Sequence, residues 1–162
     1  MTIRPAGAAD IAGIRQIWNA VIRDTPITFT PEEKTDDALA AMLISKAAQD
    51  HPFLVAEQDG RVAGFATYGQ FRAGAGYART MEHSIILAPG ARGRGTGRVL
   101  LCTLEDHART RGVHSMIAGV SAANPAAVAF HAALGYAQLA TLPEVGFKFG
   151  RWLDLVLMQK IL

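Results

Sequence analysis

A chain of 162 residues, half of them hydrophobic and 19% charged, can bury a core as one domain over residues 1–162 and is too apolar to stay disordered. Its formal charge of +2 argues against a nucleic-acid partner, which would call for basic residues massed on one face. The single cysteine, Cys102, allows no internal disulfide and points to a reducing, cytoplasmic setting. The start of the chain carries no signal-peptide pattern, and no apolar run approaches the roughly 18 residues of a membrane span, so no membrane partner is expected.

Thr2 to Arg4 reads as a short strand. Asp10 opens a helix in which Ile11, Ile14, Trp18, Val21 and Ile22 recur at helical spacing. The run from Thr25 to Pro31 breaks it and is apolar for a loop, as expected of a segment that lines something. A second helix fits Asp36 to Gln49, with Leu39, Met42 and Leu43 inward. Phe53 to Gln58 and Arg61 to Phe71 read as strands joined by Asp59-Gly60, a two-residue hairpin signal. After the loop Arg72 to Tyr77, a strand spans Thr80 to Leu87, then a glycine-rich turn, then a helix from Arg98 to Arg111 closed by Gly112. His114 to Val120 reads as a strand. Asn124-Pro125 caps a helix that ends at Leu134-Gly135. Strands over Tyr136 to Leu142 and Trp152 to Ile161 complete the order β-α-α-β-β-β-α-β-α-β-β, a mixed α/β domain in three layers.

The most informative segment runs from Ile85 to Arg98. A strand enters a glycine turn and then a helix, so successive N–H groups and the helix dipole make an anion site suited to a pyrophosphate. A P-loop would need Gly-Lys-Ser/Thr, and Gly97 is followed by Arg98-Val99. A dinucleotide fold would need G-x-G-x-x-G and a later acid, which are absent. The motif R/Q-x-x-G-x-G/A of acetyl-CoA loops is satisfied by Arg92-Gly93-Arg94-Gly95-Thr96-Gly97.

With this motif behind an apolar strand, the later Asn124, and the corner Leu134-Gly135-Tyr136, the chain resembles the GNAT superfamily of N-acetyltransferases. The resemblance implies an acyl-CoA N-acyltransferase fold, a mixed, mostly antiparallel sheet flanked by helices, with acetyl-CoA as cosubstrate. It implies that the backbone of Ile85, Ile86 and Leu87 pairs with the pantetheine arm. The N–H groups of Gly93, Arg94, Gly95, Thr96, Gly97 and Arg98 would then hold the pyrophosphate beside Arg92, and Asn124 would bond the cofactor. A closer resemblance, to the phosphinothricin and methionine sulfone/sulfoximine acetyltransferases, is carried by Phe71-Arg72, Tyr77, Glu82-His83-Ser84, Phe130-His131 and Lys148-Phe149-Gly150-Arg151-Trp152-Leu153-Asp154. It implies a small amino acid as the amine substrate. Arg72 and Arg79 would bind its anionic groups, Ala75, Gly76 and Tyr77 would close over it, and Phe29, Tyr77 and Trp152 would form apolar walls.

Acyl transfer needs a neutral amine. An α-amino group with a pKa of about 8 is neutral roughly one time in ten at pH 7, a lysine amine only about once in 2,500. A modest base suffices, and Glu82, a carboxylate among apolar strand residues, is the candidate. His131, on the helix begun by Asn124, is expected near the thioester sulfur, as an acid or as a hydrogen-bonding wall, and the Leu87 N–H is expected at the oxyanion. The five histidines show no metal-ligand spacing, so no metal is expected. An acetyltransferase of protein N-termini and a non-catalytic acyl-CoA-binding module are the competing readings. The apolar final strand suggests a homodimer.

Overall fold

The computed structural model describes residues 1–162. Seven strands form one sheet: β1 (Thr2–Pro5), β2 (Phe53–Gln58), β3 (Arg61–Gln70), β4 (Thr80–Leu87), β5 (Ser115–Ser121), β6 (Ala137–Lys148) and β7 (Arg151–Ile161). Their spatial order is β1-β2-β3-β4-β5-β7-β6. Every neighbouring pair is antiparallel except β4 with β5. Four helices flank the sheet: α1 (Ile11–Asp24), α2 (Asp36–Ala48), α3 (Thr96–Thr110) and α4 (Pro125–Ala133). The one parallel pair is joined through α3, because parallel neighbours need a crossover.

The strand periodicity of two sorts the apolar residues into two cores. On one face Leu100, Leu101, Leu104 and Ala108 of α3, with Leu134 and Tyr136, pack on Ala66, Tyr68, Met81, Met116, Ala118 and Met158. On the other, Ile14 of α1 and Leu39 of α2 cover Phe53, Val55 and Phe65, and Trp18 tilts over Phe65 with ring centroids 4.8 Å apart. The result is the expected three-layer sandwich.

The element order matches the one read from the sequence, and the differences lie at the ends. Both hairpins close on two residues with positive φ: Asp59 at 52° and Gly60 at 73°, then Phe149 at 54° and Gly150 at 72°. The second was not anticipated. β6 was expected to stop near Leu142 and instead runs to Lys148. The ladder with β7 shifts register between Leu142 and Gly146. There Glu144 takes φ 55°, and its N–H donates to Asp154 Oδ1 at 2.9 Å. A side chain thus supplies the bond the ladder loses, and the strand continues.

Candidate active site

The glycine turn is assembled locally. After β4, Pro89–Ala91 make one 3-10 turn, and α3 begins at Thr96 with Gly95 as its N-cap. Gly93 and Gly95 sit at φ 69° and 80°, a region costly for residues with a Cβ. No N–H from Gly93 to Arg98 donates to a backbone carbonyl. Six successive donors at the positive end of a 15-residue helix are therefore free for an anion. Arg92, Arg94 and Arg98 project into solvent around them. Asn124 caps α4 through Oδ1, which accepts from the Ala127 N–H at 3.3 Å, and its Nδ2 stays available to a ligand. Capping and cofactor contact can coexist.

The sheet opens beside this turn. Pairing of β4 with β5 ends at His83–Ala118, although β4 continues to Leu87 and β5 to Ser121. Thr80 O accepts from Phe71 N and Ala88 N donates to Ala63 O, so even positions of β4 aim their backbone groups at β3. By alternation, the N–H and C=O of Ile85 and Leu87 face the opening. The Arg92 guanidinium reaches Leu87 O from that side at 3.4 Å. Ile86 was expected to share this pairing. Its backbone is committed to β3, opposite Phe65, and its side chain packs with the α1–α2 core.

A cavity of about 740 Å³ fills the opening, within the usual size range of small-ligand sites. It runs from Arg92, Gly93, Gly95, Gly97 and Arg98, past Ser84 to Leu87 and Ala118 to Ser121, to Ile27, Thr28 and Phe29. One end is thus lined by free backbone donors, the middle by unpaired strand edges, and the far wall by an apolar loop. This is the shape required by a long cofactor with an anionic head and an amide-bearing arm.

Glu82 lies on the strand face shared with Ser84 and Ile86, two positions before the opening. Its carboxylate makes no hydrogen bond or ion pair. It does not itself line the cavity and meets it through Gly119, where a methyl would come within 2.9 Å of Oε1. The side chain keeps one exposed side, yet the groove removes enough water to raise its pKa above the usual glutamate range. An unpartnered carboxylate of raised pKa is the form a general base takes.

His131, on α4, is buried and lines the cavity. Its Nδ1 lies 2.7 Å from Ala127 O, so Nδ1 carries the proton, because a carbonyl only accepts. Nε2 is then a bare acceptor, and it has no partner in the protein. Burial lowers the His131 pKa, which opposes the imidazolium needed to donate from Nε2. Of the two roles expected for His131, the hydrogen-bonding wall fits this tautomer. Its ring stacks on His83 at 5.1 Å. His83 is buried, and its pKa is pushed down to about 3 by burial and by its neighbour His131.

Several expected residues are not brought to the cavity. Arg72, Ala75, Gly76 and Tyr77 are exposed on the β3–β4 loop, at the opposite end of β4 from the glycine turn. Arg72 lies over the Phe71 ring. Arg79 turns toward Gly112 at the end of α3, 3.7 Å from where a methyl there would sit. At about 3.3 Å per residue it is roughly 20 Å along the strand from Ile85. Trp152 is exposed at the β6–β7 turn against Phe147. Phe29 does line the cavity. Sequence reasoning missed Trp18, Ser84, Gly119 and Leu155, which also line it. A glycine inside a strand is the one signal that marked Gly119. No group of three or more His, Cys, Asp or Glu side chains is arranged to hold a metal ion, and no helix is long and apolar enough to cross a membrane.

A splayed β4–β5 pair, followed by an anion-binding turn at a helix start, defines an acyl-CoA N-acyltransferase fold. Residues 14–136 match the model of the Acetyltransferase (GNAT) family, and the chain belongs to that family. It is therefore an acetyltransferase, and acetyl-CoA is the family's cosubstrate. It is 40% identical to the L-methionine sulfoximine/L-methionine sulfone acetyltransferase of Salmonella typhimurium, over 98% of this chain and 93% of the relative. Its fold superposes on a ribosomal-protein-alanine N-acetyltransferase from Brucella melitensis with TM-score 0.97 at 41% identity, covering all of both chains. It also superposes on an acetyl-CoA complex of a phosphinothricin acetyltransferase from Sinorhizobium meliloti with TM-score 0.95 at 34% identity, covering 99% of this chain and 88% of that one.

Proposed function

We propose that this protein transfers acetyl from acetyl-CoA to the α-amine of a small amino-acid-like substrate of the methionine sulfone, methionine sulfoximine or phosphinothricin type, by direct attack in a ternary complex. The observation that carries the reading is Glu82: an unpartnered carboxylate of raised pKa, one residue before β4 and β5 part, against the cavity residue Gly119. The N–H groups of Gly93 to Arg98 hold the pyrophosphate, the Ile85 and Leu87 backbone aligns the arm, and Glu82 takes the amine proton directly or through one water. Leu87 N–H, aimed at the opening, is the donor placed for the acyl oxygen. His131 closes the wall with Nε2 as acceptor.

The substrate class is supported by the names of the relatives and by the apolar wall that Ile27 and Phe29 give the cavity. Homodimerisation is supported by the exposed Phe147, Phe149 and Trp152 at the β6–β7 edge of the sheet. A thiol-release assay with acetyl-CoA tests the function. The panel is methionine sulfone, methionine sulfoximine, phosphinothricin, unmodified amino acids and a peptide beginning with alanine. Turnover of the sulfur or phosphorus amino acids supports the reading. Turnover of the peptide alone would move the assignment to protein N-termini, a reading the Brucella neighbour's name keeps in play.

A further inference from the structure

The segment from Thr25 to Lys34 has no helix or strand of its own, yet Ile27, Thr28 and Phe29 form one wall of the cavity. Lids are commonly built from such loops. Here, however, the segment is tied down at both ends and in the middle. Thr25 Oγ1 donates to Val21 O at 2.7 Å, which ends α1 with a side-chain bond. At the far end the Asn19 amide pairs with the backbone of Lys34 in both directions, at 2.9 and 2.8 Å, and the Lys34 ammonium sits over the Trp18 ring. In the middle, Lys148 of β6 crosses more than a hundred positions of chain to donate to Thr25 O at 2.8 Å and Thr28 O at 2.7 Å.

Lys148 is unusual among the lysines. It is 4% exposed, has no carboxylate partner, and is flanked by the Phe149 ring at 5.0 Å. Burying an ammonium without a counter-ion is unfavourable unless its donors are satisfied. The two carbonyls it contacts accept from no backbone N–H. Each side therefore supplies what the other lacks. Two residues earlier on the same strand, Gly146 lies against Phe29, where a methyl would come within 2.3 Å of Cδ2. The β6–β7 hairpin thus fixes both the backbone and the ring of the wall.

We propose that Lys148 is a positioning residue for amine selectivity: with Gly146 it holds the Thr25–Phe29 segment as a preformed wall, so that Phe29 sets the shape of the amine subsite before substrate arrives. The inference rests on the reading that the amine enters on the Glu82–Phe29 face of the sheet. A preformed wall lowers the ordering penalty on binding. Its loss appears in the amine KM and in discrimination between amines. The cofactor side, built on α3, is left alone.

The test uses the full-length protein and two variants, Lys148→Met and Gly146→Ala. Amide hydrogen exchange over residues 25–34 reads the strap without reference to any substrate. Exchange at the hydrogen-bonded amides of Thr25, Ile27 and Lys34 is expected to be slow in the wild type with or without acetyl-CoA, and at least tenfold faster at Thr25 and Ile27 in Lys148→Met. Steady-state kinetics then read the consequence. The amine KM is expected to rise tenfold or more in both variants and the preference among amines to flatten, while the acetyl-CoA KM stays within twofold. Fast exchange in the wild type that slows on ligand addition would make the segment a closing lid and overturn the proposal. So would a strap that loosens in Lys148→Met while the amine KM holds, or equal losses for amine and acetyl-CoA. If no amine in the panel is turned over by the wild type, the functional reading fails, and the exchange result still decides the strap. Should Lys148→Met fail to fold, Gly146→Ala, which keeps the buried ammonium in place, carries the kinetic arm.

Discussion

The turn from Arg92 to Arg98 and the wall from Thr25 to Phe29 line the same cavity and are built in opposite ways. The turn is contiguous. Seven consecutive residues, two left-handed glycines and the first turn of α3 suffice to aim its donors. The wall has almost no structure of its own. Its shape is imposed by Val21, Asn19, Gly146 and Lys148, from α1 and from a hairpin more than a hundred residues away. The turn can therefore stay constant while the wall is altered through distant contacts. That arrangement suits a group of enzymes sharing one cosubstrate and differing in acceptor.

Glu82→Gln gives the largest expected effect, because it removes the proposed base and leaves the glycine turn untouched. kcat should fall by about 10²-fold or more, the usual contribution of a positioned base, while acetyl-CoA binding measured by calorimetry is unchanged. A parallel loss of cofactor affinity would show that the two ends are not separable. In the wild type, kcat should rise with pH along an acid limb displaced above the usual glutamate value of 4.5, since burial raises the Glu82 pKa and only the ionised form accepts a proton. Glu82→Gln should abolish that limb.

Gly95→Val attacks the other end. A β-branched residue at φ 80° costs about 1–2 kcal/mol locally. The acetyl-CoA KM should rise about tenfold for a loss of 1.4 kcal/mol, with the amine KM nearly constant. Equal changes in both would break the comparison.

A third test concerns the histidines beneath the cofactor end. His83 has its pKa pushed from 6.5 to about 3 by burial, so the fold keeps it neutral while the unfolded chain protonates it. The unfolded state then binds more protons at every pH between those values. Stability should be full above pH 6.5 and fall below it, by at most about 1.4 kcal/mol per pH unit for this residue. Chemical denaturation between pH 7.5 and 4.5 should show the slope, and His83→Phe should flatten it. The smallest effect is expected from Gly119→Ala, whose methyl would meet Glu82 Oε1 at 2.9 Å. The flexible carboxylate can shift, so a fall in kcat of only about threefold, ~0.7 kcal/mol, is anticipated in the same thiol-release assay.

The sequence by itself determined the order of the elements, the two-faced patterning of β4, and the anion-binding turn with its cosubstrate class. In each of these the decisive interactions lie within a few residues of one another, and period-two alternation and glycine placement record them directly. It also placed Glu82 on the same face as Ser84 and Ile86. What it could not settle was direction and distance. Which strand receives the backbone of Ile86, where Arg79 turns, and which nitrogen of His131 bears the proton are decided by neighbours far away in sequence. The same holds for Lys148, which sequence placed only within a family motif. Its ammonium finds Thr25 and Thr28 because the β6–β7 hairpin folds back against the end of α1, and a contact across 120 positions leaves no periodicity to read. Local geometry made the glycine turn legible, and only tertiary packing made the Thr25–Phe29 wall.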